Sequence, residues 1–195
     1  MSRRSSRCAA FLVLATCILV VCPRALAADK FWNNPNGGIF SSSANWVDIP
    51  FQLDVPGAND VAHFGLTANT GNFVVQRIYT VGFTSDPTNQ ALVIEDDFVT
   101  FDLIGGPSGH VYTATSTTPI TIGTVSGRTG RLTITRGNVA VPAENSTLSI
   151  GAGGAGFLTV TTGGLLDGSA MDIFVGDVTS GTLTVAGGGD ESLMT

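Results

Sequence analysis

The chain has 195 residues, with nine Lys and Arg against fifteen Asp and Glu, giving a net charge of −6. An acidic surplus of this size argues against nucleic acid or an anionic membrane surface as partner, because both select basic faces. The three cysteines, Cys8, Cys17 and Cys22, are confined to the N-terminal stretch, so no disulfide framework or cysteine-built metal site is expected in the rest of the chain.

Residues 1–27 read as a signal peptide. Arg3, Arg4 and Arg7 give a positive start, the stretch from Cys8 to Cys22 is almost wholly apolar, and Ala25-Leu26-Ala27 offers a small-x-small cleavage site before Ala28. The apolar run is about 15 residues, short of the roughly 20 that span a bilayer. Export to the medium or the cell surface is expected, with cleavage after Ala27. Cleavage removes Arg3, Arg4, Arg7 and Arg24 and no acid, so the mature chain carries 5 − 15 = −10 with Lys30 as its one lysine. No later stretch is long and apolar enough to cross a membrane.

Residues 28–112 form an aromatic, irregular region, expected to be an N-terminal β cap. Phe31, Trp32, Phe40, Trp46, Phe51, Phe64, Phe73, Tyr79, Phe83, Phe98, Phe101 and Tyr112 all fall in it, and only Phe157 and Phe174 follow. Residues 73–81, 91–94 and 98–104 are rich in β-branched and aromatic side chains and read as strands. Asp86-Pro-Thr-Asn89 and Gly105-Gly-Pro-Ser-Gly109 read as loops.

Residues 113–195 are repetitive. Gly130-Arg-Leu-Thr-Ile-Thr135, Gly156-Phe-Leu-Thr-Val-Thr161 and Gly181-Thr-Leu-Thr-Val-Ala186 place leucines 26 and 25 residues apart. A second phrase keeps step at spacings of 28 and 25: Ile120-Thr-Ile-Gly123, Leu148-Ser-Ile-Gly151 and Ile173-Phe-Val-Gly176. Alternation puts Leu132, Leu158 and Leu183 in one interior ladder, Ile134, Val160 and Val185 in the next, and Ile122, Ile150 and Val175 in a third, with threonines outward. One unit cannot bury its apolar row alone, so the units must stack. The fold class expected is all-β: a parallel β-solenoid (β-helix-like) of about three coils of 25–28 residues, with the aromatic region as its cap. A small antiparallel sandwich is the alternative.

Three stretches together resemble bacterial exported proteins that carry autotransporter-passenger-like β-strand repeats, as in planctomycete-type surface proteins. They are Phe31-Trp32-Asn-Asn-Pro-Asn-Gly-Gly-Ile-Phe-Ser-Ser-Ser-Ala-Asn45-Trp46, then Val55-Pro56-Gly-Ala-Asn-Asp60-Val-Ala-His-Phe64-Gly, and the coils from Ile120 onward. The resemblance implies a secreted or surface-displayed, adhesin-like role. Longer members of that group continue through more coils, whereas this sequence stops at Thr195.

No catalytic, cofactor or metal site is expected. The acids Glu95-Asp96-Asp97 and Asp102 read as solvated loop residues, Asp60 as a turn cap beside Asp54, and His63 and His110 as packed or surface histidines. Trp32 and Trp46 would stack on sugars if exposed, and would plug the open end of the solenoid if buried. Thr133, Thr135, Thr159, Thr161 and Thr184 form an outward array able to lie against a flat partner, although outward threonine is also ordinary strand composition. The expected function is that of a structural or adhesin-like surface protein without catalysis. A carbohydrate-binding module or a polysaccharide-active β-helix enzyme is the alternative. The partners expected are a surface polysaccharide or neighbouring solenoid coils.

Overall fold

The computed structural model describes residues 27–48, 52–65, 76–105, 109–168, 170–186 and 193–194. Most of the expected leader, part of the strand at 73–81, the middle of the loop at 105–109 and the run 187–190 lie outside the described residues. The strands in chain order are β1 (Asp29–Trp32), β2 (Gly38–Ile39), β3 (Trp46–Val47), β4 (Val61–Phe64), β5 (Ile78–Gly82), β6 (Thr88–Asn89), β7 (Ala91–Ile94) and β8 (Phe98–Asp102). They continue as β9 (His110–Ala114), β10 (Ile120–Ile122), β11 (Thr129–Ala140), β12 (Ser146–Ile150), β13 (Ala155–Asp167), β14 (Met171–Val175), β15 (Gly181–Ala186) and β16 (Leu193–Met194). A 3-10 turn, Ser43–Asn45, leads into β3.

The strands divide between a seven-stranded sheet, in the order β14-β12-β10-β7-β4-β1-β3, and a nine-stranded sheet built on β15-β13-β11-β8-β5-β2. From β10 to β15 chain-adjacent strands alternate between the two sheets, and strands one coil apart pair in parallel. Among the described residues only β1 with β3 is antiparallel. The fold is therefore a parallel β-solenoid. The pairing runs without a break past position 112, since β10 pairs with β7 and β11 with β8. The aromatic region thus supplies the first coils of the same stack, and β3 covers the free edge of β1.

Alternation decides what faces in. In the nine-stranded sheet Tyr79, Val99, Leu132, Leu158 and Leu183 align in one column, and Val81, Phe101, Ile134, Val160 and Val185 in the next. In the facing sheet Phe64, Ile94, Ile122, Ile150 and Val175 align. The expected ladders are present and continue upstream into strands that lack the repeat phrase. Each fully buried Leu, Ile or Val contributes roughly 1.5–3 kcal/mol over its exposed state.

Glycine is required at the corners for two reasons. Gly151 has φ +85°, which an L side chain rarely adopts. A Cβ on Gly156, the first residue of the repeat phrase, would lie 2.3 Å from Gly151 N and 2.7 Å from Ile122 O. The two phrases recur together because their glycines pack against each other. Farther along, β11 and β13 bend at Arg136 (φ +56°) and Thr162 (φ +53°), where the register shifts. Beyond the bend Tyr112, Val139 and Leu166 line up as another inward column, giving these coils a third side.

The first coils are filled by aromatic rings. Trp32 meets Trp46 edge-on at 5.1 Å between centroids, Phe40 meets Trp46 at 4.9 Å, and Phe64 meets Phe101 at 5.4 Å. At the other end the inward columns finish on half-exposed residues, with Val175 at 47 % and Val185 at 43 %.

Candidate functional site

The most regular surface is the outward face of the nine-stranded sheet. Thr80, Thr100, Thr133, Thr159 and Thr184 are register partners on β5, β8, β11, β13 and β15, so they form one unbroken column. Parallel strands lie about 4.8 Å apart, which spaces the hydroxyls evenly along the solenoid axis. On one side runs the column Ile78, Phe98, Arg131, Phe157 and Thr182, and on the other Gly82, Asp102, Thr135, Thr161 and Ala186. The predicted array of Thr133, Thr135, Thr159, Thr161 and Thr184 is thus gathered on one face. Thr80 and Thr100 belong with it and were not predicted, because β5 and β8 carry no Gly-x-Leu-Thr phrase. Threonine also suits a pleated, half-buried strand surface, which favours it here whatever the face contacts.

Arg131 stands out on this face. Its guanidinium carbon lies 4.8 Å from the centroid of Phe98 and 5.1 Å from that of Phe157, the residues directly above and below it in register. The side chain is exposed. Three other basic residues are paired with carboxylates: Lys30 Nζ is 2.7 Å from Asp48, Arg128 Nη1 is 2.5 Å from Asp96, and Arg136 makes a two-pronged contact with Asp102, while the half-buried Arg77 makes no ion pair among the described residues.

No family model, curated protein or solved structure matches this chain.

The two tryptophans are not available to a ligand. Trp32 is 1 % and Trp46 0 % exposed. Their indole N–H groups donate inward, to Asn34 O at 2.6 Å and Phe40 O at 2.7 Å. Of the two conditional expectations for them, burial meets the one for a plug: alternation along β1 turns Trp32 into the core, and β3 folds Trp46 in against it.

The acidic turn between β7 and β8 also differs from expectation. Asp96 and Asp97 are each 1 % exposed, not solvated. Asp97 accepts from the Arg77 backbone N–H at 3.0 Å and the Tyr79 hydroxyl at 2.9 Å. Burial nevertheless raises its carboxyl above the ordinary range, outweighing those two hydrogen bonds. Burial, with Asp97 beside it, pushes the Tyr79 hydroxyl up as well. Asp96 faces a cleft of about 230 Å³ lined by Gln76, Gly127, Arg128 and Thr129. Its Oδ2 takes the Arg128 contact, while its Oδ1 is buried with no partner among the described residues.

The remaining acids do not converge on that cleft. Asp102 ends β8, Asp167 ends β13, and Asp172 sits on β14 in the other sheet. Asp60 accepts from the N–H groups of Gly57 at 2.8 Å and Ala28 at 3.0 Å, tying the turn before β4 to the chain entering β1. His63 lies 3.1 Å from both Glu95 and Asp29 and stacks on Phe31. Burial opposes its charge, but the two carboxylates outweigh burial and raise its pKa above the ordinary imidazole value. His110 lies 2.9 Å from Asp86, so the two histidines have separate carboxylate partners. No group of three or more His, Cys, Asp or Glu suited to a metal ion occurs among the described residues.

Proposed function

We propose that this protein is an exported structural or adhesive β-solenoid that acts by display and carries out no covalent chemistry. The observation carrying the reading is the threonine column of Thr80, Thr100, Thr133, Thr159 and Thr184, in register over five parallel strands. A stack of parallel coils holds such a face rigid, because each inner strand is fixed by its neighbours on both sides. The likeness of the N-terminal and repeat motifs to passenger-like surface proteins supports the same reading, as does the leader-like stretch at 1–27. The carboxylates support a scaffold too: Asp48, Asp96 and Asp102 are engaged by basic side chains, and Asp60 by backbone N–H groups.

Retention of protein-coated beads on envelope or matrix polysaccharide from the producing cells tests this. Replacing Thr133 and Thr159 together by Gln should reduce retention at least about fivefold, on the scale of about 1 kcal/mol. The same change at Thr121 and Thr147, on the outward side of the facing sheet, should leave retention intact. Equal effects of the two pairs would show that the threonine face is not the contact surface.

A further inference from the structure

We propose that Arg131 and the threonines beside it form a binding site for a carboxylate-bearing polysaccharide, a polyuronate lying along the solenoid axis. This rests on the display reading and gives its surface a ligand class.

The geometry of the stack carries the proposal. The Arg131 guanidinium carbon lies over the ring of Phe98 at 4.8 Å and over that of Phe157 at 5.1 Å, so two rings from the neighbouring strands flank the charge. Aromatic faces attract a cation without neutralising it. The five N–H donors of a guanidinium lie around its edge, away from its faces. No acceptor for the Arg131 side chain occurs among the described residues, and no carboxylate pairs with it. The two rings thus hold an exposed charge in place, and no described carboxylate occupies its donors.

Local charge selects the occupant: the chain as a whole is acidic and repels a polyanion, so binding here depends on the Arg131 fork and not on net attraction. Lys30, Arg128 and Arg136 are each matched to an aspartate; of Arg77 and Arg131, which make no ion pair among the described residues, only Arg131 is exposed. Asp102, an acid on the same face, is held by Arg136. A planar carboxylate fits a guanidinium fork with two parallel hydrogen bonds. Thr133 follows Arg131 on the same strand with its side chain on the same face, and Thr100 and Thr159 flank Thr133 in register. Their hydroxyls can donate to or accept from sugar hydroxyls. The column runs along the axis, so it suits a linear polymer better than a compact ligand.

Affinity electrophoresis of the purified full chain tests the site. Gels containing polygalacturonate should retard the protein, and gels containing its methyl-esterified form should not. Arg131→Gln should weaken retardation on the order of tenfold, the scale of one charge-assisted pair. Arg131→Lys keeps the charge and the ring contacts but loses the fork, so it should fall between. Circular dichroism melts of each variant identify any loss due to unfolding, and Arg131→Lys alone then decides the point. Unchanged retardation of a folded Arg131→Gln variant would overturn the proposal. So would equal retardation by dextran sulfate, which would mean attraction by charge alone. Absence of polygalacturonate binding while the beads still hold to envelope material through Thr133 and Thr159 would sink the polyuronate site and leave the display reading standing.

Discussion

The first coils and the last coils share one set of columns but fill them differently. Register partners give the residues per coil by subtraction: Asp29 to Val61 is 32, Val61 to Ala91 is 30, Leu92 to Ile120 is 28, Ile120 to Leu148 is 28 and Leu148 to Ile173 is 25. Side-chain size falls in the same direction. Phe64 heads a column that continues as Ile94, Ile122, Ile150 and Val175, and Tyr79 heads one that continues as Val99 and three leucines. Interiors are close-packed, so longer coils need larger side chains to leave no void. The aromatic residues at the N-terminal end are the filling that the longer coils demand, and β3 covers their edge. The short coils manage with Leu, Ile and Val, and their last rung is half open to solvent.

That contrast can be broken by mutation, starting at the aromatic end. Trp46→Ala removes a buried ring packed against Trp32, Phe40 and Phe64 and takes the indole donor from the Phe40 carbonyl, so it should cost about 3–5 kcal/mol in urea unfolding. A cost below about 1 kcal/mol would mean that the rings are not the filling. In the short coils the critical contact is backbone against backbone. Gly156→Ala drives a methyl into Gly151 N and Ile122 O and should cost about 1–3 kcal/mol by the same measurement. Thr162→Gly should move stability the other way, by about 1 kcal/mol, because a β-branched residue at φ +53° is strained.

His63 offers a pH-dependent comparison between the two ends. It joins Asp29 on β1 to Glu95 after β7, so it ties the first coil to the third. Its folded pKa lies above the unfolded one. The contribution is therefore fully present below the unfolded imidazole value of about 6.5 and is lost as the pH rises through the folded value. Thermal melts should show a small fall in Tm across that window, which His63→Gln abolishes. A slope that survives in His63→Gln belongs to another group. The smallest effect is expected at the open end: Val185→Ala should cost less than about 0.5 kcal/mol, since Val185 is 43 % exposed. A cost matching that of Val160→Ala would show that the last rung is covered.

Much of this was legible in the sequence where period and chemistry agree. The Leu132, Ile134 and Ile122 ladders follow from alternation plus a repeat of near-constant length, and the corner glycines from the turn geometry they permit. Thr80 and Thr100 were hidden because β5 and β8 sit in longer coils whose loops break the period. Asp96 and Asp97 looked solvated because a run of acids between strands normally is; what buries them is the return of Arg128, Arg77 and Tyr79 from other strands, a long-range fact. Lys30 is a similar case. Alternation puts it in the interior column beside Ala62, and Asp48 at 2.7 Å with Asp54 at 3.5 Å, brought near by the fold, make that position tolerable. The Arg131 stack was invisible for the same reason, since its two rings come from the strands on either side.

The central claim is that the threonine column is continuous, outward and axial from Thr80 to Thr184. It is tested most directly by replacing both residues with cysteine, with Cys8, Cys17 and Cys22 changed to serine, attaching nitroxide labels and measuring their separation by pulsed electron paramagnetic resonance. Four steps of about 4.8 Å give an expected backbone separation of about 19 Å, with rapid labelling of the native protein at both sites. Labelling that requires denaturant, or a separation above about 30 Å, would contradict the parallel stack and the face that depends on it.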